Sequence, residues 1–97
     1  MIAAHITQGN PLSFDGEELP QGTVSFDGLD KAIIGIGSQY SKEPKLVYSA
    51  TRIIDELVDR EGWSFEEAQE YFDFNIGCLW AGEGTPIIVY EVFNNDG

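Results

Sequence analysis

Apolar residues change their spacing along this chain, and each spacing predicts a different element. Over the first 28 residues they form short patches, Ile2 to Ile6 and Thr23 to Phe26. Turn formers separate them: Gly9-Asn10-Pro11, Asp15-Gly16, Pro20-Gln21-Gly22 and Asp27-Gly28. That alternation predicts short strands joined by tight turns. Ser13-Phe14-Asp15-Gly16 recurs as Ser25-Phe26-Asp27-Gly28. Each copy predicts a strand ending in an Asp-Gly turn, at a spacing that suits successive strands of a meander. From Lys31 to Tyr40 the run Ala32-Ile33-Ile34-Gly35-Ile36-Gly37 favours a strand, with a short helix after Asp30 as the competing reading. Gly35 and Gly37 would leave one strand face flat, open to close approach by another element. Ser41 to Pro44 reads as a polar turn and Leu46-Val47-Tyr48 as a strand.

The period then switches to that of a helix. Ala50, Ile53, Ile54, Leu57 and Val58 lie on one helical face behind an N-cap at Ser49, and Gly62 stops the run. Ser64-Phe65-Glu66-Glu67 is a capping box with Trp63 placed to staple onto Ala68. The second helix carries Phe65, Ala68, Phe72 and Ile76 along its inner stripe, and Gly77 closes it. A connection this short makes residues 49–77 a helical hairpin. After the loop Ala81 to Pro86, the apolar run Ile87 to Phe93 predicts a central or well-covered strand, and residues 94–97 a frayed tail. The expected architecture is a single α+β domain over residues 1–97. It comprises a turn-rich segment 1–23 and a small antiparallel or mixed sheet of three to five strands, with the helical hairpin packed on one face.

Charge narrows the possible functions. Seventeen Asp and Glu stand against five Lys and Arg, a formal net charge of −12 in 97 residues. Direct nucleic-acid binding needs cations to neutralise phosphates, so this composition argues against it. Two Trp, four Tyr and six Phe argue against disorder. No apolar run is long enough to span a bilayer, and no basic segment followed by an apolar one marks a signal peptide. One Cys and one His neither form a disulfide nor build a zinc site. The expectation is a reduced, cytoplasmic, soluble protein without a metal or other cofactor.

Candidate catalytic chemistry is thin. His5 lies in a predicted strand and reads as a structural residue. Cys78 follows a helix C-terminus, where no cation or helix N-terminus activates a thiol, and it reads as a small buried hydrophobe. Gly35-Ile36-Gly37 lacks the third glycine of a dinucleotide fingerprint, and Gly82-Glu83-Gly84-Thr85 lacks the lysine of a phosphate loop. The acids do not follow the spacing of an EF-hand. A non-enzymatic protein is the expectation.

Eight acids, Asp55, Glu56, Asp59, Glu61, Glu66, Glu67, Glu70 and Asp73, share one stretch with a single base, Arg60. On a helix, acids three or four apart stand about 5–6 Å from each other and repel. Such a surface attracts basic partners and speeds association with them. It equally serves to keep a small domain soluble. The binding reading selects Asp55, Asp59, Glu66, Glu67, Glu70 and Asp73 as contacts for a basic, nucleic-acid-binding protein. A competing reading places an apolar protein contact, with a homodimer as one form, at Tyr71, Trp80 and Glu83 in its loop.

The run Phe26-Asp27-Gly28-Leu29-Asp30-Lys31-Ala32-Ile33-Ile34-Gly35, then Leu46-Val47-Tyr48-Ser49, then Phe74-Asn75-Ile76 and Gly82-Glu83-Gly84-Thr85-Pro86-Ile87, resembles a family of small acidic proteins encoded by bacteriophages and prophages. The resemblance implies action in a host cytoplasm and brings no assigned activity and no catalytic residue. By analogy of class, small acidic phage proteins include inhibitors of host defence, anti-CRISPR proteins and DNA mimics among them. The expected function is therefore that of a DNA-mimicking blocker; the alternative is a phage accessory or regulatory module.

Overall fold

Both helices start where a serine side chain satisfies a free backbone N–H and end on backbone bonds to the last turn. In the computed structural model, which describes residues 4–6, 12–14 and 16–91, helix α1 spans Ala50–Glu61 and helix α2 spans Phe65–Asn75. The Ser49 hydroxyl accepts from the Arg52 N–H at 3.2 Å, and Gly62 ends α1 in the left-handed region at φ 71°. Ser64 and Glu67 form the reciprocal capping box, with bonds of 3.2 and 2.9 Å. Trp63 turns its ring toward Tyr71, centroids 5.2 Å apart, and packs at the edge of the core. Ile53, Ile54 and Leu57 of α1 share one buried cluster with Ala68 and Phe72 of α2 and with Ile76 just past its end. Phe65 departs from the expected stripe and is 61% exposed. It occupies the first helical position, and burial on α2 begins one turn later, at Ala68.

Strands β5 (Ile33–Gly37), β6 (Lys45–Ser49) and β7 (Ile87–Val89) form a mixed three-stranded sheet in the order β5-β6-β7. Strand β6 is antiparallel to β5 and parallel to β7. A parallel neighbour requires a long crossover, and the helical hairpin supplies it. Leu46 and Tyr48, on one face of β6, are buried among the helix residues. The helices thus cover one face, as an α+β layer requires.

Four shorter strands make two further ribbons: β1 (Ala4–Ile6) pairs with β4 (Val24–Phe26), and β2 (Leu12–Phe14) with β3 (Glu17–Leu19). Both copies of the Ser-Phe-Asp-Gly repeat end a strand before a turn, and Gly16 and Gly28 take φ of 82° and 79°. The two strands are not meander neighbours, however, because each pairs with a different partner. The first copy closes a two-residue hairpin, whereas the second leads into a 3-10 turn at Asp30–Ala32.

That turn begins at Asp30, one residue before the short-helix reading placed it, and strand β5 follows it. Of the two β5 glycines, only Gly37 meets close packing: an added Cβ would lie 2.9 Å from both the Ile87 and Val47 side chains. Strand β7 is shorter than the apolar run suggested. It lies at a sheet edge, and Ile87 is 38% exposed. Being hydrophobic did not make it central, because β6 takes the middle position. Phe93 and residues 94–97 lie outside the described residues, as does the His5 side chain.

Tyr48 ties the β1–β4 ribbon to the sheet. It is fully buried, its ring packs on Phe26 at 4.9 Å between centroids, and its hydroxyl accepts the Phe26 N–H at 2.9 Å. The loop 81–86 forms a second tie, with the Val24 N–H donating to the Gly84 carbonyl at 2.9 Å.

Candidate functional site

All six acids chosen from the sequence are exposed, and the structure divides them between two surfaces. Asp55 and Asp59 project from α1 into a shallow hollow of about 180 Å³ shared with Glu56, Arg52 and Lys31. Two cations therefore stand among these acids. Arg60, the single base of the acidic stretch, turns away and donates to the Gly28 carbonyl at 2.8 Å.

Glu66, Glu67 and Glu70 line a wider hollow of about 670 Å³ on α2, together with Trp63, Tyr71 and Phe74. No Lys or Arg occurs on α2, and Phe74 is 75% exposed. Asp73 is also on α2 and accepts from Gln69 at 3.2 Å. Glu66 and Glu67 sit in the first turn, where the helix N-terminus favours negative charge. Glu70 and Asp73 lie beyond that help. Among the described residues one ion pair forms, between Lys42 and Glu83 at 3.9 Å, and it leaves the α2 acids without a cation.

The competing contact set also separates. Tyr71 belongs to the α2 hollow, whereas Trp80 and Glu83 line a cleft of about 480 Å³ beside β7. Sequence reasoning missed Trp63 and Phe74 as walls of the first hollow, and Lys45 and Tyr90 as walls of the second. Phe74 was the most legible of these. It is an apolar residue off the inner stripe, on the same helix face as the acids.

The remaining chemical candidates are structural. Loop 81–86 closes on itself: the Thr85 hydroxyl donates to the Gly82 carbonyl and accepts the Ala81 N–H, each at 2.7 Å. Gly84 packs directly on the Gly22 carbonyl, leaving no room for a side chain. This loop is a docking turn between two parts of the fold. Cys78 is exposed rather than buried, because the turn after α2 carries it outward, and its thiol donates to the Phe74 carbonyl at 3.3 Å. Ser49 donates to the Glu91 carboxylate, so one side chain both caps α1 and holds the chain after β7. Among the described residues no three His, Cys, Asp or Glu side chains are grouped to hold a metal ion. No helix among them is long and apolar enough to cross a membrane. No family model matches the chain, and neither the curated proteins nor the solved structures give a significant match, so its geometry is the basis for any functional reading.

Proposed function

We propose that the chain is a non-enzymatic binding protein that uses its α2 face to occupy the basic, nucleic-acid-binding surface of another protein. One observation carries this reading: α2 presents Glu66, Glu67, Glu70 and Asp73 with no base on the helix, beside the exposed Phe74 ring and the half-buried Trp63 and Tyr71. Carboxylates attract and orient a cationic partner, while Trp63, Tyr71 and Phe74 offer ring faces to its Lys and Arg side chains. Asp55 and Asp59 on α1 contribute less, since Arg52 and Lys31 share their hollow. The resemblance to phage-encoded proteins suggests a host setting, with a defence nuclease of the CRISPR type as one such partner.

The test compares the chain with two variants, E66Q/E67Q/E70Q/D73N on α2 and D55N/D59N on α1. Glutamine at 67 preserves the capping box. Each is used to capture partners from host lysate at low salt, followed by a salt gradient and, separately, competing DNA. The expected partner is a nucleic-acid-binding protein displaced by DNA and released as the screening length falls from about 10 Å at 0.1 M toward about 3 Å at 1 M. The α2 variant should lose it and the α1 variant largely retain it. Capture that resists salt, ignores DNA and survives the α2 exchange would sink the proposal and favour an apolar accessory contact.

A further inference from the structure

The 480 Å³ cleft beside β7 is chemically unlike the rest of this surface. Two of the chain's five cations, Lys42 and Lys45, line it in a molecule of net charge −12. Lys42 is already paired with Glu83, which shares the cleft. Lys45 is half-buried at the start of β6, and its side chain has no hydrogen-bond or ion-pair partner among the described residues. A lysine head group that pairs with no carboxylate among the described residues is open to a negative charge.

Two large aromatic side chains flank that ammonium's cleft and remain open to solvent, Trp80 at 70% and Tyr90 at 61%. Neither belongs to a loose segment. Trp80 lies between two fixed amides: the Leu79 N–H donates to the Ile76 carbonyl at 3.1 Å, and the Ala81 N–H to the Thr85 hydroxyl at 2.7 Å. The Tyr90 ring meets Phe72 edge-on at 6.0 Å between centroids. Its hydroxyl lies over Gly77, where an added Cβ would come within 3.3 Å of it. The Tyr90 ring is held by Phe72 yet uncovered, and the bonded amides on either side of Trp80 fix the backbone from which its ring projects, so a ligand that covers both rings meets a reduced ordering cost. The apolar floor includes Leu79, Pro86 and Ile88, and the volume falls within the usual range for small-molecule sites.

From these features we infer that the cleft binds a small anion with a flat aromatic body, its ring against Trp80 and Tyr90 and its phosphate or carboxylate on Lys45. The surrounding negative charge opposes any anion, which makes Lys45 the anchor on which affinity depends.

The test titrates the whole chain with three probes, 2-naphthyl phosphate, 2-naphthoate and neutral 2-naphthol, read by amide chemical shifts. Either anion should bind about tenfold or more tightly than the naphthol. The shifts should centre on Gly77, Trp80 and Tyr90, and the tighter anion names the headgroup. Lys45→Met keeps the apolar stem and should erase the preference for anions, while Trp80→Ala should weaken all three probes. Both changes are at exposed or half-buried side chains, and the dispersion of the amide spectrum confirms folding before titration. Equal affinity for the three probes, shifts centred on the α2 hollow, or an anion preference that survives Lys45→Met would each overturn the inference.

Discussion

Replacing Tyr48 with Phe tests the joint between the β1–β4 ribbon and the sheet, and it makes two linked predictions. The phenylalanine keeps the ring contact with Phe26 but removes the oxygen that accepts the Phe26 N–H at 2.9 Å. A buried donor left without a partner costs about 1–3 kcal/mol. In a domain of this size each kcal/mol lowers Tm by about 4–8 °C. Burial pushes the Tyr48 hydroxyl up from 10.0 to about 12, with the Asp30 and Asp27 charges adding to it and the Phe26 N–H opposing it. The raised value fixes the sign of the pH effect. Between pH 10 and 12 the unfolded chain loses the phenolic proton while the folded chain keeps it, so stability falls with rising pH. The loss approaches about 3 kcal/mol above pH 12 and reaches about 1.4 kcal/mol at pH 11. Contributions common to both proteins cancel in the difference. Urea unfolding at pH 7 and pH 11, followed by tryptophan fluorescence, measures that difference. The wild type should lead Tyr48→Phe at pH 7 and lose about 1.4 kcal/mol of that lead by pH 11. A variant as stable as the wild type at pH 7, or a lead that does not shrink at pH 11, would refute the reasoning.

Gly84→Ala places a methyl group on the Gly22 carbonyl and should cost about 2–3 kcal/mol, read as a lowered urea midpoint. Ser49→Ala removes both the α1 cap and the donor to Glu91, with an expected loss of about 1–2 kcal/mol in thermal unfolding. Glu70→Gln with Asp73→Asn removes like charges from the part of α2 that its N-terminus does not favour, and should raise stability by up to about 1 kcal/mol at low salt. That gain should fade at high salt; a gain independent of salt would contradict its electrostatic origin.

The helical hairpin was legible because its caps and its period agree. Ser49, Gly62, Ser64 and Glu67 act as their spacing indicates, and Ile53, Leu57, Ala68 and Phe72 are buried as their periodicity requires. Strand pairing was not legible, since a three-residue strand carries almost no register information. The repeat at Ser13 and Ser25 marks two turns correctly and still names the wrong neighbours, because pairing depends on which strands meet in space. Strand β7 shows the same limit from the other side: Ile87 to Val89 has the composition of a central strand and lies at an edge. The acids were legible as exposed groups from their helical phase. Their division into two hollows follows from the positions of Lys31 and Arg52, which the spacing of the acids does not encode. The cleft at Lys45, Trp80 and Tyr90 draws on three separate stretches, so no local pattern could have announced it.

Where the five cations go decides how the net charge is felt. Arg60 is committed to the Gly28 carbonyl, Arg52 and Lys31 stand among the acids of α1, and Lys42 pairs with Glu83. Lys45 remains in the cleft, and none reaches α2. If the acids served solubility alone, cations could be placed anywhere on the surface without loss. Their absence from α2 instead concentrates the repulsion on one helix. Its fold is then secured by the capping box at one end, by burial of Ala68 and Phe72 along its inner stripe, and by the buried Ile76 that caps its other end. A helix stabilised from within can carry unneutralised charge outside, and a cationic partner relieves that repulsion on binding. On the proposed readings the two hollows differ in chemistry: the α2 hollow would take a cation and the Lys45 cleft an anion.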